Sequence, residues 1–353
     1  MKPLRKILIA ASVFSAFSCG QTASDQLDPS AASSSGSPVS ESLYVASGAC
    51  YGGGVTTSTG SGTVVAMDPA TGAVKRVVVD YSNYSPGDMP VSISDYDSKR
   101  ILVTVENASG RRVDLVSKDG SGLSTYLSNS TALSAVLRTA KLLSDGSLLV
   151  SKSTMIEKFT PAKARILQGA NAFIQSPAST CATAATLITA IETLPNGKVV
   201  FAHSAATPNN KIDLISSTGY ATSADCLSNQ VAPTTLAMPT ALLAHSSGQL
   251  LAAYGSTTAA SNFIYSYPIN QTTNSFGTAV AAYNDSGVIV NGPSAMAEDL
   301  ATGDVFVANA LSTLNTIERF SLNTSTGVLT SRSQHFGPSV YTRCVSAMKV
   351  IKE

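Results

Sequence analysis

Six short apolar runs recur along this chain at nearly even spacing, and they constrain the fold more than any other feature. They are Leu43-Tyr44-Val45, Ile101-Leu102-Val103, Leu148-Leu149-Val150, Val199-Val200-Phe201, Leu250-Leu251-Ala252 and Val305-Phe306-Val307, whose starts lie 58, 47, 51, 51 and 55 residues apart. A turn precedes most of them: Asp97-Ser98-Lys99, Ser144-Asp145-Gly146, Pro195-Asn196-Gly197, Ser246-Ser247-Gly248 and Ala301-Thr302-Gly303. Another apolar run precedes each turn, such as Ile188–Ile191 or Ala241–Ala244. Each unit therefore reads as about four short strands, and one such unit cannot bury both faces of its own sheet. Four-stranded sheets repeated every 40–50 residues or so predict an all-β protein of the β-propeller type. A β-sandwich with accidental similarity between segments is the alternative, and the even spacing argues against it.

The two ends complete the count. No strand precedes Leu43, and Ser339–Ile351 reads as a first strand with no partner after it. Joining them gives six blades, with the ring closed by the C-terminal strand entering the N-terminal blade. Seven blades is the alternative, and would need one hidden between Leu43 and Ile101 or in Arg165–Leu187.

Composition agrees. Charged residues make up 13% of the 353, aromatics 6%, and Trp is absent. No stretch after Ala16 carries helical periodicity. The net charge is +1, and Lys2, Arg5 and Lys6 lie within the first six residues. No basic footprint for nucleic acid is present.

Residues 1–18 read as a signal peptide, with a basic start and an apolar core at Ile7–Phe17 too short to span a bilayer. Ala16-Phe17-Ser18-Cys19 resembles the lipobox of bacterial lipoproteins, although Ala16 stands where Leu is usual. The resemblance implies a lipidated Cys19 and anchoring in the cell envelope, with Gly20 after the Cys favouring the outer membrane. Residues 19–42, rich in Ser, Ala, Gly and Pro, read as a flexible linker, and 43–353 as the propeller domain. Of five Cys, four remain once Cys19 is lipidated, an even number suited to an oxidising compartment. Three pairings are open. The propeller arrangement favours Cys50–Cys344, fastening the ring, and Cys181–Cys226, clipping loops around one blade.

The segments LYVASG at Leu43–Gly48 with GTVVAMDPATGAVKRVVV from Gly62, and DVFVANALSTLNTIERFSLNTSTGVLT from Asp304, resemble repeats of the YVTN (surface-layer-like) and lactonase-type β-propellers. The likeness covers about a fifth of the chain at motif level. Its motifs specify strands and turns, so it implies a fold and leaves the reaction open.

Propeller sites lie at the mouth of the central channel. The position four residues past each run start predicts a lining of Ser47, Val105, Lys152, His203, Tyr254 and Asn309, with Glu106 next to it. Glu106, Lys152, His203, Tyr254 and Asn309 are the candidate ligand-binding residues. The sequence contains no H-E-x-x-H, C-x-x-C or acidic calcium loop and no G-x-S-x-G elbow, so neither a catalytic residue, a metal ligand nor a cofactor is assigned. His203 and His245 fall on opposite faces. The expected role is a membrane-anchored binding or scaffolding module with a protein or glycan partner, facing the periplasm or the outside. The alternative is a lactonase-like hydrolase acting at the channel.

Overall fold

The computed structural model describes residues 40–52, 55–85, 87–107, 110–128, 137–166, 185–205, 210–216, 226–231, 238–256, 262–285, 288–310 and 315–353. Residues 1–39, where the signal peptide, the lipidated Cys19 and most of the linker are expected, lie outside these residues, as do Cys181 and the side chain of Cys50.

Residues 41–353 form a six-bladed β-propeller of small antiparallel sheets. In chain order the strands are β1 (Glu41–Gly52), β2 (Val55–Met67), β3 (Val74–Asp80), β4 (Met89–Asp95), β5 (Arg100–Asn107), β6 (Gly110–Ser117), β7 (Leu123–Leu127), β8 (Ala140–Leu142), β9 (Leu148–Lys152), β10 (Met155–Phe159), β11 (Arg165–Ile166), β12 (Ala185–Thr193) and β13 (Val199–Ala205). They continue as β14 (Lys211–Ile215), β15 (Cys226–Val231), β16 (Met238–Ala244), β17 (Gln249–Gly255), β18 (Phe263–Asn270), β19 (Ser275–Phe276), β20 (Val280–Tyr283), β21 (Pro293–Glu298), β22 (Val305–Asn309), β23 (Ile317–Leu322), β24 (Leu329–Phe336) and β25 (Val345–Lys352). Read from the axis outward, the blades are β25-β1-β2-β3, β4 to β7, β8 to β11, β12 to β15, β16 to β20 and β21 to β24. The first strands touch in a closed cycle, β25 to β4, β8, β12, β16, β21 and back to β25.

The recurring apolar runs are the second strands, and each is buried on both faces. Alternate residues of one strand enter two different cores. Val199 and Phe201 pack toward the third blade, whereas Val200 and Ala202 pack toward the fifth. Leu43 and Val45 join the sixth blade, while Tyr44 and Ala46 join the second. Every blade-to-blade seam carries its own hydrophobic cluster. That double burial is why the runs are continuously apolar rather than alternating. The turns before them close as their chemistry requires: Gly146, Gly197, Gly248 and Gly303 all take positive φ, from 72° to 87°, a region open to glycine without steric cost.

The ring closes as the sequence suggests. β25 pairs antiparallel with β1 from Glu41↔Lys352 to Ser47↔Val345. The interval from Leu43 to Ile101 is long because the hairpin of β1 and β2 continues past the blade to Gly52 and Val55, not because it hides a seventh blade. Hydroxyls also stitch neighbouring first strands together. Ser346 Oγ donates to the Pro90 carbonyl at 2.6 Å, Ser294 Oγ to Val345 at 2.5 Å and Thr240 Oγ1 to Pro293 at 2.5 Å.

Polar contacts fix the outer end of the closing blade. Tyr44 Oη donates to Glu353 Oε1 at 2.8 Å, and Arg76 pairs with the same carboxylate. Burial pushes the Glu353 carboxyl up, but hydrogen bonds from Arg76, Tyr44 and Ser42 outweigh it and hold it below its usual range. A carboxylate lowered in the folded state contributes stability above its unfolded pKa, about 4.3. That contribution is lost as pH falls through the folded value. Thermal melts of Glu353→Gln and the parent should therefore differ most near neutrality and converge in acid. A constant offset across pH would contradict this role.

Candidate functional site

None of the five residues predicted to line the mouth is among the described residues that line the channel cavity and its neck. They sit in the last residues of second strands, and four have a first strand between them and the axis: Tyr254 pairs with Pro239, His203 with Ile188, Asn309 with Pro293 and Glu106 with Met89. His203 and Asp213 are both fully buried and joined by a 2.8 Å hydrogen bond within the fourth blade. Burial pushes the Asp213 carboxyl up, against the pull of His203. Tyr254 is fully buried, bonds Tyr267 Oη at 2.7 Å, and has its phenol pushed well up by burial. Asn309 Nδ2 donates to the Ile289 carbonyl at 2.7 Å, and its Oδ1 accepts from Asn291 N–H at 2.9 Å. Lys152 reaches Glu157 of the adjacent strand at 3.5 Å. Glu106 faces Arg111 at 3.6 Å and Arg138 at 3.9 Å, and only through Arg138 does this set touch the channel.

The channel is lined by the first strands. They enclose a cavity of about 570 Å³, within the range of small-molecule sites. Two layers define it. The upper one sits where five first strands carry a bulge in their pairing with the second strand, at Val91, Thr189, Thr240, Ser294 and Ser346. With Arg138 from the third blade these residues line a narrow neck of about 50 Å³. Three residues further along, Ser94, Lys141, Glu192, Leu243, Ala297 and Lys349 each lie opposite the second residue of an apolar run: Leu102, Leu149, Val200, Leu251, Phe306 and Tyr44. Equal register places these six positions at one depth of the channel.

This second layer is charged on one side and apolar on the other. Lys141 Nζ is ion-paired with Glu192 Oε1, which also accepts the Thr193 N–H at 2.9 Å. Burial pushes Glu192 up, yet Lys141 and Lys349 more than offset this and hold its carboxyl below the usual range. Lys349 has no hydrogen-bond or ion-pair partner among the described residues. The positive charge of Lys141 and then burial hold its ammonium below the usual lysine range, against the pull of Glu192, Asp95 and Glu298. Glu298 is held separately, accepting the Ser246 N–H at 2.9 Å and the Ser246 hydroxyl. Asp95, half exposed, pairs with Lys118 at 3.0 Å. His245 caps the next turn, its Nε2–H donating to the Gly303 carbonyl at 2.9 Å and its Nδ1 accepting the Ser247 N–H at 3.1 Å. Among the described residues no group of three or more His, Cys, Asp and Glu could hold a metal ion.

A sequence signal for this site exists. Thr189-Ala190, Thr240-Ala241 and Ser294-Ala295 recur before the turns, Ser346-Ala347 repeats the pair in the last strand, and all four lie in first strands. Three residues after Thr189 and Ser346 come Glu192 and Lys349. The pattern identifies first strands only once their bulge is known, because the bulge sets which residues share a depth.

The geometry defines a closed six-bladed propeller with a mixed-charge central channel. No family model matches the chain, and no curated protein matches it. Solved structures do. A protein of unknown function from Bacteroides caccae is 14% identical over 89% of this chain and 100% of its own, with a TM-score of 0.56. A Bacteroides fragilis protein provisionally assigned as a 6-phosphogluconolactonase is 13% identical over 89% and 98%, at 0.55. A chain of the nidogen/laminin complex is 13% identical over 88% and 98%, at 0.57. At such identities the likeness is one of fold, and this fold carries unrelated activities.

Proposed function

We propose that this protein is an extracytoplasmic binding module, carried on a lipid anchor at Cys19, whose recognition site is the central channel. The observation that carries this reading is the 570 Å³ cavity with Lys349, Lys141 and Glu192 at one depth. A two-signed polar layer beside the apolar Leu243 and Ala297 suits recognition of a small charged molecule. The basic and apolar leader and the lipobox-like Ala16–Cys19 support export and anchoring. Closure of the ring brings Cys344 beside β1, where the Gly48 N–H donates to the Cys344 carbonyl at 3.1 Å. Cys50 follows two residues on, which supports the Cys50–Cys344 pairing; a bridge closing so long a loop would stabilise the fold by several kcal/mol in loop-entropy models, roughly. The remaining pair would be Cys181–Cys226.

The second reading, a lactonase-like hydrolase, is favoured by the fold likeness to the Bacteroides fragilis protein. One experiment separates the two. Mature protein isolated from envelopes is denatured and its released small molecules are weighed, and the same preparation is assayed on a panel of aliphatic lactones. Recovery of a stoichiometric small molecule without lactone turnover is the expected result. Lactone hydrolysis above background would replace the binding reading with the enzymatic one.

A further inference from the structure

We propose that the channel layer at Lys349 binds a small organic monocarboxylate whose other end donates hydrogen bonds. This rests on the binding reading above and names its ligand class. The carboxylate is assigned to the Lys349 ammonium, which faces the cavity without a hydrogen-bond or ion-pair partner, whereas Lys141 beside it is already paired with Glu192. An ammonium held among protein groups favours an anion that can accept a charge-assisted hydrogen bond. Lys141 and then burial lower the Lys349 ammonium against the pull of Glu192, Asp95 and Glu298, and one bound carboxylate would add to that pull.

The surroundings narrow the class. Glu192, Asp95 and Glu298 all act electrostatically on Lys349. One negative charge is tolerated there, whereas a second would face three carboxylates, so a dianionic phosphate is disfavoured. The other end of the ligand meets the bulge layer, three residues or about 10 Å along the strands. There Thr240, Ser294 and Ser346 have already given their protons to the Pro293, Val345 and Pro90 carbonyls, and Thr189 to Ala202 at 3.2 Å. These hydroxyls offer lone pairs only, so a ligand group that meets them, on the side of the neck away from Arg138, must bring the donors.

The test is titration of the mature protein with 6-hydroxyhexanoate, whose extended chain and two hydrogen bonds span the distance of about 10 Å between the layers, and with hexanoate, inorganic phosphate and methylammonium, at fixed ionic strength. It is read by calorimetry and by the ε-carbon NMR signal of Lys349, assigned from its loss in Lys349→Met. Saturable binding of 6-hydroxyhexanoate is expected, at least fivefold tighter than hexanoate or phosphate, with a shift of the Lys349 signal. Lys349→Met should weaken it at least tenfold and Lys349→Arg, which keeps the charge, by less than fivefold. Exposed Lys99→Met should leave it unchanged. Melting of each variant shows whether it is folded. No saturable carboxylate binding, equal binding by folded Lys349→Met, or tighter binding of phosphate would each overturn the assignment. Saturation by methylammonium alone would overturn the anion class yet leave the channel as a binding site. If no probe saturates, the anion proposal falls while a small molecule recovered from envelopes still upholds the binding reading.

Discussion

Removing residues 345–353 should leave a chain that does not fold. The lost strand, β25, is the axis-side strand of the closing blade and the first strand that joins β21 to β4 in the cycle. It buries Val345, Met348, Val350 and Ile351, each less than 7% exposed. At about 1.5–3 kcal/mol for each side chain, burial alone contributes about 6–12 kcal/mol, as much as the whole stability of a typical domain, about 5–15 kcal/mol. The deletion also strips β1 of its ladder partner from Glu41 to Ser47 and opens the seam to the sixth blade. Circular dichroism and urea unfolding of the truncated protein should show no cooperative transition. A folded, cooperative truncated protein would mean that the ring does not depend on this strand. Adding the 345–353 peptide in trans should restore part of the transition, since the missing element is one whole strand.

Arg112→Leu should cost about 3–5 kcal/mol, the scale for removing one partner of a buried ion pair. Arg112 Nη2 bonds Asp88 Oδ2 at 2.5 Å, and Nε lies 3.0 and 2.9 Å from the Asp114 oxygens. Both carboxylates are almost wholly buried. Tyr81 from the first blade packs under the guanidinium at 5.7 Å, so the cluster sits at the seam between the first two blades. Burial already pushes the Asp114 carboxyl above its ordinary value despite Arg112. Without the cation it should rise further. A carboxyl raised in the folded state favours folding while protonated, and that contribution is lost as pH rises through the folded pKa. The deficit of the variant should therefore be largest at neutral pH and shrink toward pH 4. Urea unfolding at both pH values checks this. Adding Asp88→Asn and Asp114→Asn to the variant should recover part of the loss, and a variant as stable as the parent at pH 7 would refute the account.

The architecture was legible because the second strands are buried twice. Leu43–Val45 and Val305–Val307 are apolar at every position, which no half-exposed strand requires, and their spacing counts the blades. The closing strand was legible because Ser339–Ile351 had no partner ahead of it. The site was not legible, for a geometric reason. Placing the mouth four residues past each second-strand start ignores the strand that lies inside it, and so selects His203, Tyr254 and Asn309, which are fully buried with partners of their own. Lys349 lies in SAMKVI, where a lone lysine in an apolar strand gives no hint that it faces a cavity. Only the register with Tyr44 puts it level with Lys141 and Glu192, from segments more than 150 residues apart.

The most direct test of the closed ring is native-state hydrogen exchange of the amides paired between β1 and β25. If the C-terminal strand closes the ring as an integral part of the fold, amides of Tyr44–Ala46 and Met348–Val350 should exchange only through global unfolding. Their protection should equal that of Val200–Ala202 in the fourth blade. Fast exchange of β25 beside a protected fourth blade would contradict closure and make the last strand an attachment to an open array.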